Sequence, residues 1–247
     1  RVLPLGLLAI GSVLKRAGHQ VKILDLRISN SPDEELNAVM NSFDPQVVGI
    51  GVMTIECKYG FIDAAKVKKI NPNVTVIFGG PHCSHEPQFI LNDSNVDLMV
   101  SGEGDLTIVE LVNTLEEGKD VASVPGIAYK KNGSYLRTAE RPVIRDLDTI
   151  DQEYDLINLE RYFNFQSSMD FFPVFRNKRF IPLVTSRGCP FKCTYCHDIF
   201  DKSIQYRSPE AVVNEIEYLI KVYGIREFHI VDDVFNVNMK RAKIVLD

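Results

Sequence analysis

Residues 180–196 run FIPLVTSRGCPFKCTYC, and this stretch decides how the second half of the chain is built. Phe180 to Thr185 is an almost unbroken apolar run of strand length, as expected for a strand covered on both faces. Ser186, Arg187 and Gly188 lead from it straight into Cys189, Cys193 and Cys196, three thiols within eight residues at x3 and x2 spacing. The chain holds five Cys, an odd count that makes a poor disulfide framework and a good ligand set. That usage points to a reducing cytoplasm. Three thiolates this close on a loop can converge on one face of a cubane iron–sulfur cluster. One iron then lacks a protein ligand and can bind a small molecule through nitrogen and oxygen. A zinc ion would instead want a fourth ligand, which His197 or His229 could supply. Three core thiols are the bland alternative, and Pro190, Lys192 and Thr194 around them argue against it. Cys57 and Cys83 read as isolated reduced thiols.

Downstream of the thiols, Ser208-Pro209 opens a helix carrying Val212, Val213, Ile216, Leu219 and Ile220, and Gly224 stops it. Phe228 to Val231 is a further strand ending at Asp232-Asp233, and a last helix begins near Met239. Upstream, the first 120 residues alternate helix and strand signals over short connections, which predicts a doubly wound parallel α/β sheet. Leu5, Leu8, Ala9, Val13, Leu14 and Ala17 make a helical stripe capped at Gly18. Val21 to Leu26 reads as a buried strand. Ser31, Pro32 and Glu34 then give a helix start with a capping box. Strands are expected at Val47–Val52, Val74–Phe78 and Val96–Val100, with helices at Tyr59–Ile70 and Asp105–Leu115. Asn132-Gly133 between Ile127–Tyr129 and Tyr135–Arg137 predicts a hairpin. From Arg141 to Lys178 no period holds, so residues 121–177 read as hairpin and linker, rich in aromatics such as Tyr154, Tyr162, Phe163, Phe165, Phe171 and Phe172.

The chain has 247 residues, 45% hydrophobic and 25% charged, with a formal net charge of −5. This composition suits one or two globular domains. A nucleic-acid groove needs clustered Lys and Arg, and none is present. No apolar run approaches the ~20 residues of a bilayer span. Arg1, Lys15 and Arg16 flank an apolar stretch as in a signal peptide, but it has no cleavage pattern and reads as folded structure. There is no G-x-G-x-x-G after a strand and no P-loop, so dinucleotides and triphosphates are unsupported.

From about residue 178 to 247 the chain resembles the radical S-adenosylmethionine superfamily, whose motif is C-x3-C-x2-C with an aromatic before the last Cys, here Tyr195. The resemblance implies a 4Fe–4S cluster on Cys189, Cys193 and Cys196 whose open iron chelates S-adenosylmethionine. One electron then cleaves it to methionine and a 5′-deoxyadenosyl radical. It also implies that Tyr195 and the end of the second barrel strand lie against the bound S-adenosylmethionine. Asp232 or Asp233 could accept a hydrogen bond there, although the family's usual Gly-Gly-Glu is absent. Capping the following turn is the alternative for each. For Arg207 and Glu215 an ion pair explains the residues as well as any ligand contact.

Residues 1–120 carry Pro4-Leu5-Gly6, Gly49-Ile-Gly51-Val-Met-Thr54, Gly79-Gly80-Pro81-His82 and Gly102-Glu103-Gly104 at a helix start and at strand ends. Ordinary turn-making explains such glycines when taken alone. In their order, ahead of the thiols, they look like the cobalamin-binding domain of cobalamin-dependent radical S-adenosylmethionine enzymes. This implies a base-off corrin over the strand ends, touching Leu5, Gly6, Thr54, Gly79, Gly80, Pro81, His82, Gly102, Glu103 and Gly104. Bulky replacements at Gly80 or Gly102 are expected to block the ring and leave the sheet folded. His19 lacks the D-x-H-x-x-G context of a cobalt-ligating His, so no lower ligand is assigned, and His85 gets no role.

The resemblance implies a Rossmann-like cobalamin-binding domain over 1–120 and the first two βα units of a TIM-like radical barrel over 178–247. Six such units are expected in the family, and at about 30 residues or more per βαβ unit the stretch after Lys178 holds two. The family also begins with a strand feeding the first helix, which here starts almost at residue 1, so the chain looks like a fragment at both ends. The leading expectation is a cytoplasmic, anaerobic methyltransferase acting on an unactivated carbon of an unknown small molecule or peptide. An electron donor such as flavodoxin or ferredoxin would serve it, and neither nucleic acid nor membrane is expected as a partner. Radical cyclisation or rearrangement is the alternative with the same cofactors. A non-enzymatic corrinoid- or zinc-binding module is the third.

Overall fold

The computed structural model describes residues 3–85, 87–165, 179–196, 199–200 and 202–246. His197, Phe171 and Phe172 lie outside the described residues, as does the side chain of His85. The chain divides into two units, Gly6–Val143 and Arg1–Leu5 with Ile144–Asp247.

The first unit follows the predicted alternation. Helix α1 (Leu5–Arg16) ends before Gly18, and α2 (Pro32–Phe43) starts at Pro32. Strand β1 (Val47–Gly51), helix α3 (Cys57–Ile70), β2 (Thr75–Gly79), the short α4 (Pro81–His85) and α5 (Pro87–Leu91), β3 (Leu98–Val100) and α6 (Gly104–Glu116) follow. Strands β1, β2 and β3 are parallel neighbours. The hairpin β4 (Ile127–Lys131) and β5 (Ser134–Arg137) then adds two antiparallel strands at the far edge, giving the order β1-β2-β3-β4-β5. Asn132 and Gly133 both have positive φ, 54° and 76°, as the tight Asn-Gly hairpin turn requires.

Burial alternates across this sheet with period two. Val76, Phe78, Met99 and Ala128 face a core shared with Leu36 and Met40 of α2, Ala64 and Val67 of α3, and Ile90 and Leu91 of α5. Ile77, Leu98, Val100 and Ile127 are equally buried and face the other way. On that side Ile10 of α1 and Val100 both flank Gly104. Helices therefore cover both faces, the doubly wound arrangement.

Two local expectations fail. Val21–Asp25 forms no strand, because no ladder partner lies beside it among the described residues; Leu24 and Leu26 pack on the core instead, and Asp25 caps a 3-10 turn at Leu26–Ile28. Ser31 stands at the N-cap of α2, but its side chain makes no capping hydrogen bond, so no capping box closes.

In the second unit the aperiodic stretch after Arg141 folds into 3-10 turns at Leu147–Thr149 and Tyr154–Leu156 and helix α7 (Leu159–Asn164). They bury Leu147, Ile150, Tyr154, Leu159, Tyr162 and Phe163. Strand β6 (Phe180–Leu183) and a two-residue β7 (Ser186–Arg187) follow, then β8 (Gln205–Tyr206), α8 (Pro209–Tyr223), β9 (Glu227–Ile230) and α9 (Met239–Leu246). Helix α8 begins as its sequence dictates, with the Ser208 hydroxyl accepting from the Ala211 N–H at 3.1 Å, and ends at Gly224 with φ 66°. The unit contains β6 parallel to β9, in the register Ile181↔Phe228 and Leu183↔Ile230, and an antiparallel ribbon of β7 with β8. These are the two expected βα steps.

Candidate functional sites

The register Gly51↔Gly79 and Phe78↔Met99 brings the carboxyl ends of β1, β2 and β3 side by side. Thr54, Gly79, Gly80, Pro81, His82, Gly102, Glu103 and Gly104 thus share one edge of the first sheet. Leu5 and Gly6 open α1, and the boundary between the units falls between them.

The glycines sort into two kinds. A Cβ on Gly80 would lie 2.8 Å from the Val52 carbonyl oxygen, on a backbone already at φ +103°, so only glycine fits. A Cβ on Gly104 would come 3.0 Å from Ile10 Cδ1, a close helix contact. Gly79 and Gly102 have no atom within 4 Å of that position. Gly80 and Gly104 therefore build the edge, and Gly79 and Gly102 leave room above it. The expectation that a bulky Gly80 would leave the sheet folded is corrected on this ground.

His82 is held in place by its Nδ1, which shares a 3.2 Å hydrogen bond with the Thr54 hydroxyl, and by Phe89 edge-on at 6.1 Å. Its Nε2 is buried and has no partner among the described residues. Such an orphan costs about 1–3 kcal/mol unless a ligand supplies the missing bond. The segments after the three strands also carry exposed Met53, Ile55, Tyr59, Phe89 and Leu106. Open space, apolar side chains and an orphan ring nitrogen fit a flat ring fringed with amides, as a corrin is.

Cys57 and Cys83 lie beneath this edge in the core. Burial pushes both thiols up, Cys83 to about 12 with the neighbouring Cys57 adding to the shift. They stay protonated and make poor metal ligands.

In the second unit Cys189 is half-buried, while Cys193 and Cys196 are exposed. Tyr195 between them is 91% exposed. The Cys196 N–H donates to the Cys193 carbonyl at 3.2 Å, which turns the loop back on itself. Among the described residues no three His, Cys, Asp or Glu side chains stand gathered at metal-binding distance. The loop carries the right donors, reduced and accessible. As a donor set they fit an iron–sulfur cluster.

The start of that loop is ordered. Asp232 accepts from the Thr185 N–H at 2.6 Å, the Thr185 hydroxyl at 2.6 Å and the Ser186 hydroxyl at 2.7 Å. Asp233 accepts from the Gly188 N–H at 3.1 Å. Gly188, at φ +90°, is pressed against the Ser203 carbonyl so closely that no side chain fits. Two buried arginines complete the frame. Arg241 donates to the Thr185 carbonyl at 2.7 Å, the Thr185 hydroxyl at 3.3 Å and the Arg207 carbonyl at 3.1 Å, with its guanidinium 5.0 Å over Tyr206. Arg207 donates to the Val184 carbonyl and pairs with Glu215, which accepts from the Tyr154 hydroxyl at 2.6 Å. Burial and the Glu215 carboxylate hold the Tyr154 phenol well above its ordinary range. Arg207 and Glu215 thus form the ion pair. Sequence reasoning named Tyr154 only as a linker aromatic and missed Arg241. The one available signal was an Arg at a core-facing position of a short helix.

The B12 binding domain family matches residues 1–112. Among curated proteins, an uncharacterised methyltransferase of Pyrococcus horikoshii is 36% identical over 244 residues, 97% of this chain and 50% of that protein. The chain is thus similar to cobalamin-binding proteins over residues 1–112 and to a methyltransferase over nearly all its length. The anaerobic magnesium-protoporphyrin IX monomethyl ester cyclase of Synechocystis is 29% identical over 243 residues, 95% of this chain and 46% of the cyclase. Among solved structures, the radical S-adenosylmethionine methyltransferase TsrM from Kitasatospora setae, with cobalamin and a 4Fe–4S cluster bound, has the same fold. Its TM-score is 0.78 at 20% identity, over 100% of this chain and 49% of that one. The chain spans about half the length of the curated relatives it matches. No helix among the described residues is long and apolar enough to cross a membrane.

Proposed function

We propose that the protein containing this chain is a cobalamin-dependent radical S-adenosylmethionine enzyme that transfers a methyl group to an unactivated carbon. The observation that carries this is the pairing, in one chain, of a B12-binding sheet with three accessible, reduced thiols at the end of a second parallel ladder. When bound, a 4Fe–4S cluster supplies the electron that cleaves S-adenosylmethionine, and cobalamin carries the methyl group. The chain's own residues do the holding. Cys189, Cys193 and Cys196 ligate iron as thiolates. Cys57 and Cys83, kept protonated by burial, do not compete for it. Gly79 and Gly102 leave room for the corrin, Thr54 orients His82, and the His82 Nε2 meets the ring's periphery. Tyr195 and Asp233 flank bound S-adenosylmethionine. A flavodoxin or ferredoxin in the cytoplasm supplies the electron, and the substrate is a small molecule or peptide.

Anaerobic reconstitution of the full-length protein tests this. Cys189→Ala, Cys193→Ala and Cys196→Ala should each lose most of the iron, and Cys57→Ala and Cys83→Ala should not. Zinc in place of iron in strictly anaerobic preparations would sink the reading. Gly79→Leu should abolish hydroxocobalamin binding with the sheet intact. The cyclase relatives favour a second reading, radical cyclisation. Transfer of label from methyl-labelled S-adenosylmethionine to product decides between the two.

A further inference from the structure

We propose that Asp232 is a positioning residue that fixes the foot of the cluster loop, rather than a ligand of the methionine moiety. The proposal rests on the cluster reading above and goes beyond it, because the resemblance alone would place Asp232 against S-adenosylmethionine. An ionised carboxylate has about four acceptor directions. Three are filled by the Thr185 N–H, the Thr185 hydroxyl and the Ser186 hydroxyl, at 2.6, 2.6 and 2.7 Å. Those donors are not loose surface groups. Thr185 and Ser186 are 0% and 2% exposed, and turning Asp232 toward an ammonium would strand two buried hydroxyls.

The Thr185 hydroxyl works in both directions. It donates to Asp232 and accepts from Arg241, whose second nitrogen also holds the Thr185 carbonyl at 2.7 Å. Asp233 takes the Gly188 N–H, and the Ser203 carbonyl closes on Gly188 from another side. Three of the four residues before Cys189 are thereby pinned. Cys193 and Cys196 are exposed on the loop beyond it. Protein contacts alone fix the foot of the loop, so Cys189 serves as the fixed point from which the x3 and x2 spacings are measured. Asp232 sits on the turn after β9 and acts on the turn after β6, which ties cluster geometry to the β6–β9 ladder.

The test uses the full-length protein, reconstituted anaerobically, with every reading taken first without S-adenosylmethionine. Asp232→Ala should retain iron against a chelator about 10-fold less well, as for lost partners of metal ligands. It should also change the electron paramagnetic resonance spectrum of the reduced cluster. The milder Ser186→Ala, alone and with Thr185→Val, leaves Asp232 in place and should move the same two readings in the same direction. Asp232→Asn keeps the size and one acceptor oxygen and should recover most of the iron. Suppose instead that all variants load iron normally with the wild-type spectrum, and Asp232→Ala loses only the spectral change caused by adding S-adenosylmethionine. Asp232 is then a ligand and the proposal is overturned. Variants that melt earlier but keep the wild-type spectrum while folded overturn it too, since that is plain stability. A wild type that takes up no cluster overturns the functional reading and this proposal with it, which separates the two failures.

Discussion

Replacing Gly80 and Gly102 by alanine, one at a time, should have very different effects although both glycines have positive φ and both follow a strand. At Gly80 the added methyl would sit 2.8 Å from the Val52 oxygen and 3.2 Å from the Val52 nitrogen. That nitrogen donates to the Gly79 carbonyl at 2.9 Å, the last rung between the first two strands, and Val52 is itself part of the core. Backbone strain of about 1–3 kcal/mol joins overpacking of about 1–3 kcal/mol and a weakened hydrogen bond of about 1 kcal/mol. The net loss should be about 4 kcal/mol. At Gly102 nothing lies within 4 Å, so only the φ of 73° opposes the methyl. That penalty, about 1–2 kcal/mol, is partly offset by the stiffer unfolded chain, which returns about 0.4–1 kcal/mol. With two units in the chain, a global melt is not one equilibrium. Native-state hydrogen exchange resolved on peptides from Val47–Gly51 and Thr75–Gly79 is the suitable assay. Gly80→Ala should lower protection there by roughly two orders of magnitude more than Gly102→Ala, a difference of about 3 kcal/mol. Equal losses would refute the close-approach argument and make both glycines simple turn formers.

The buried thiol of Cys83 gives a pH dependence. Its folded value is raised to about 12 from an ordinary 9.0, so the unfolded chain sheds the proton first. Its stabilising share is complete below pH 9 and is lost as pH rises toward 12, at up to about 1.4 kcal/mol per pH unit. Urea midpoints of the Gly6–Val143 region should fall over that range, and Cys83→Ala should flatten the slope; an unchanged slope contradicts the assignment. In the second unit, Tyr154→Phe deletes the bond to Glu215 at the modest cost of about 1.5–3 kcal/mol. Glu215→Ala, which leaves the Arg207 guanidinium buried without that carboxylate, should cost about 3–5 kcal/mol by the same denaturation measurement. Matching losses in the two variants would show that Arg207 is satisfied elsewhere.

What the sequence discloses and what it hides follow from range. Local patterns are legible. Pro32, Ser208-Pro209, Gly224 and Asn132-Gly133 act within a few residues, and each marks an element boundary in the structure. The thiol spacing is equally local. Pairing is not. Val21–Asp25 has the composition of a strand, but a strand exists only beside a partner, and none stands there among the described residues. Ser31 has the residue type of a cap, yet its hydroxyl makes no capping bond. The polar frame around Thr185 joins residues 154, 185, 207, 215, 232 and 241, up to 87 positions apart, so no window of sequence could assemble it. Gly79 and Gly80 are identical on paper. Only the position of Val52 separates the one that leaves space from the one that fills it.

Pro182, in the middle of β6, gives that ladder a direction of growth. Leu183 turns its carbonyl toward β9, where it accepts from the Val231 N–H at 2.9 Å. Strand residues alternate sides, so Pro182 faces the opposite edge, and there its ring replaces the amide hydrogen that an added strand would need. The outer flank of β6 is thus guarded against a neighbour, including a second chain in a crowded cell. Among the described residues β9 is the ladder partner of β6.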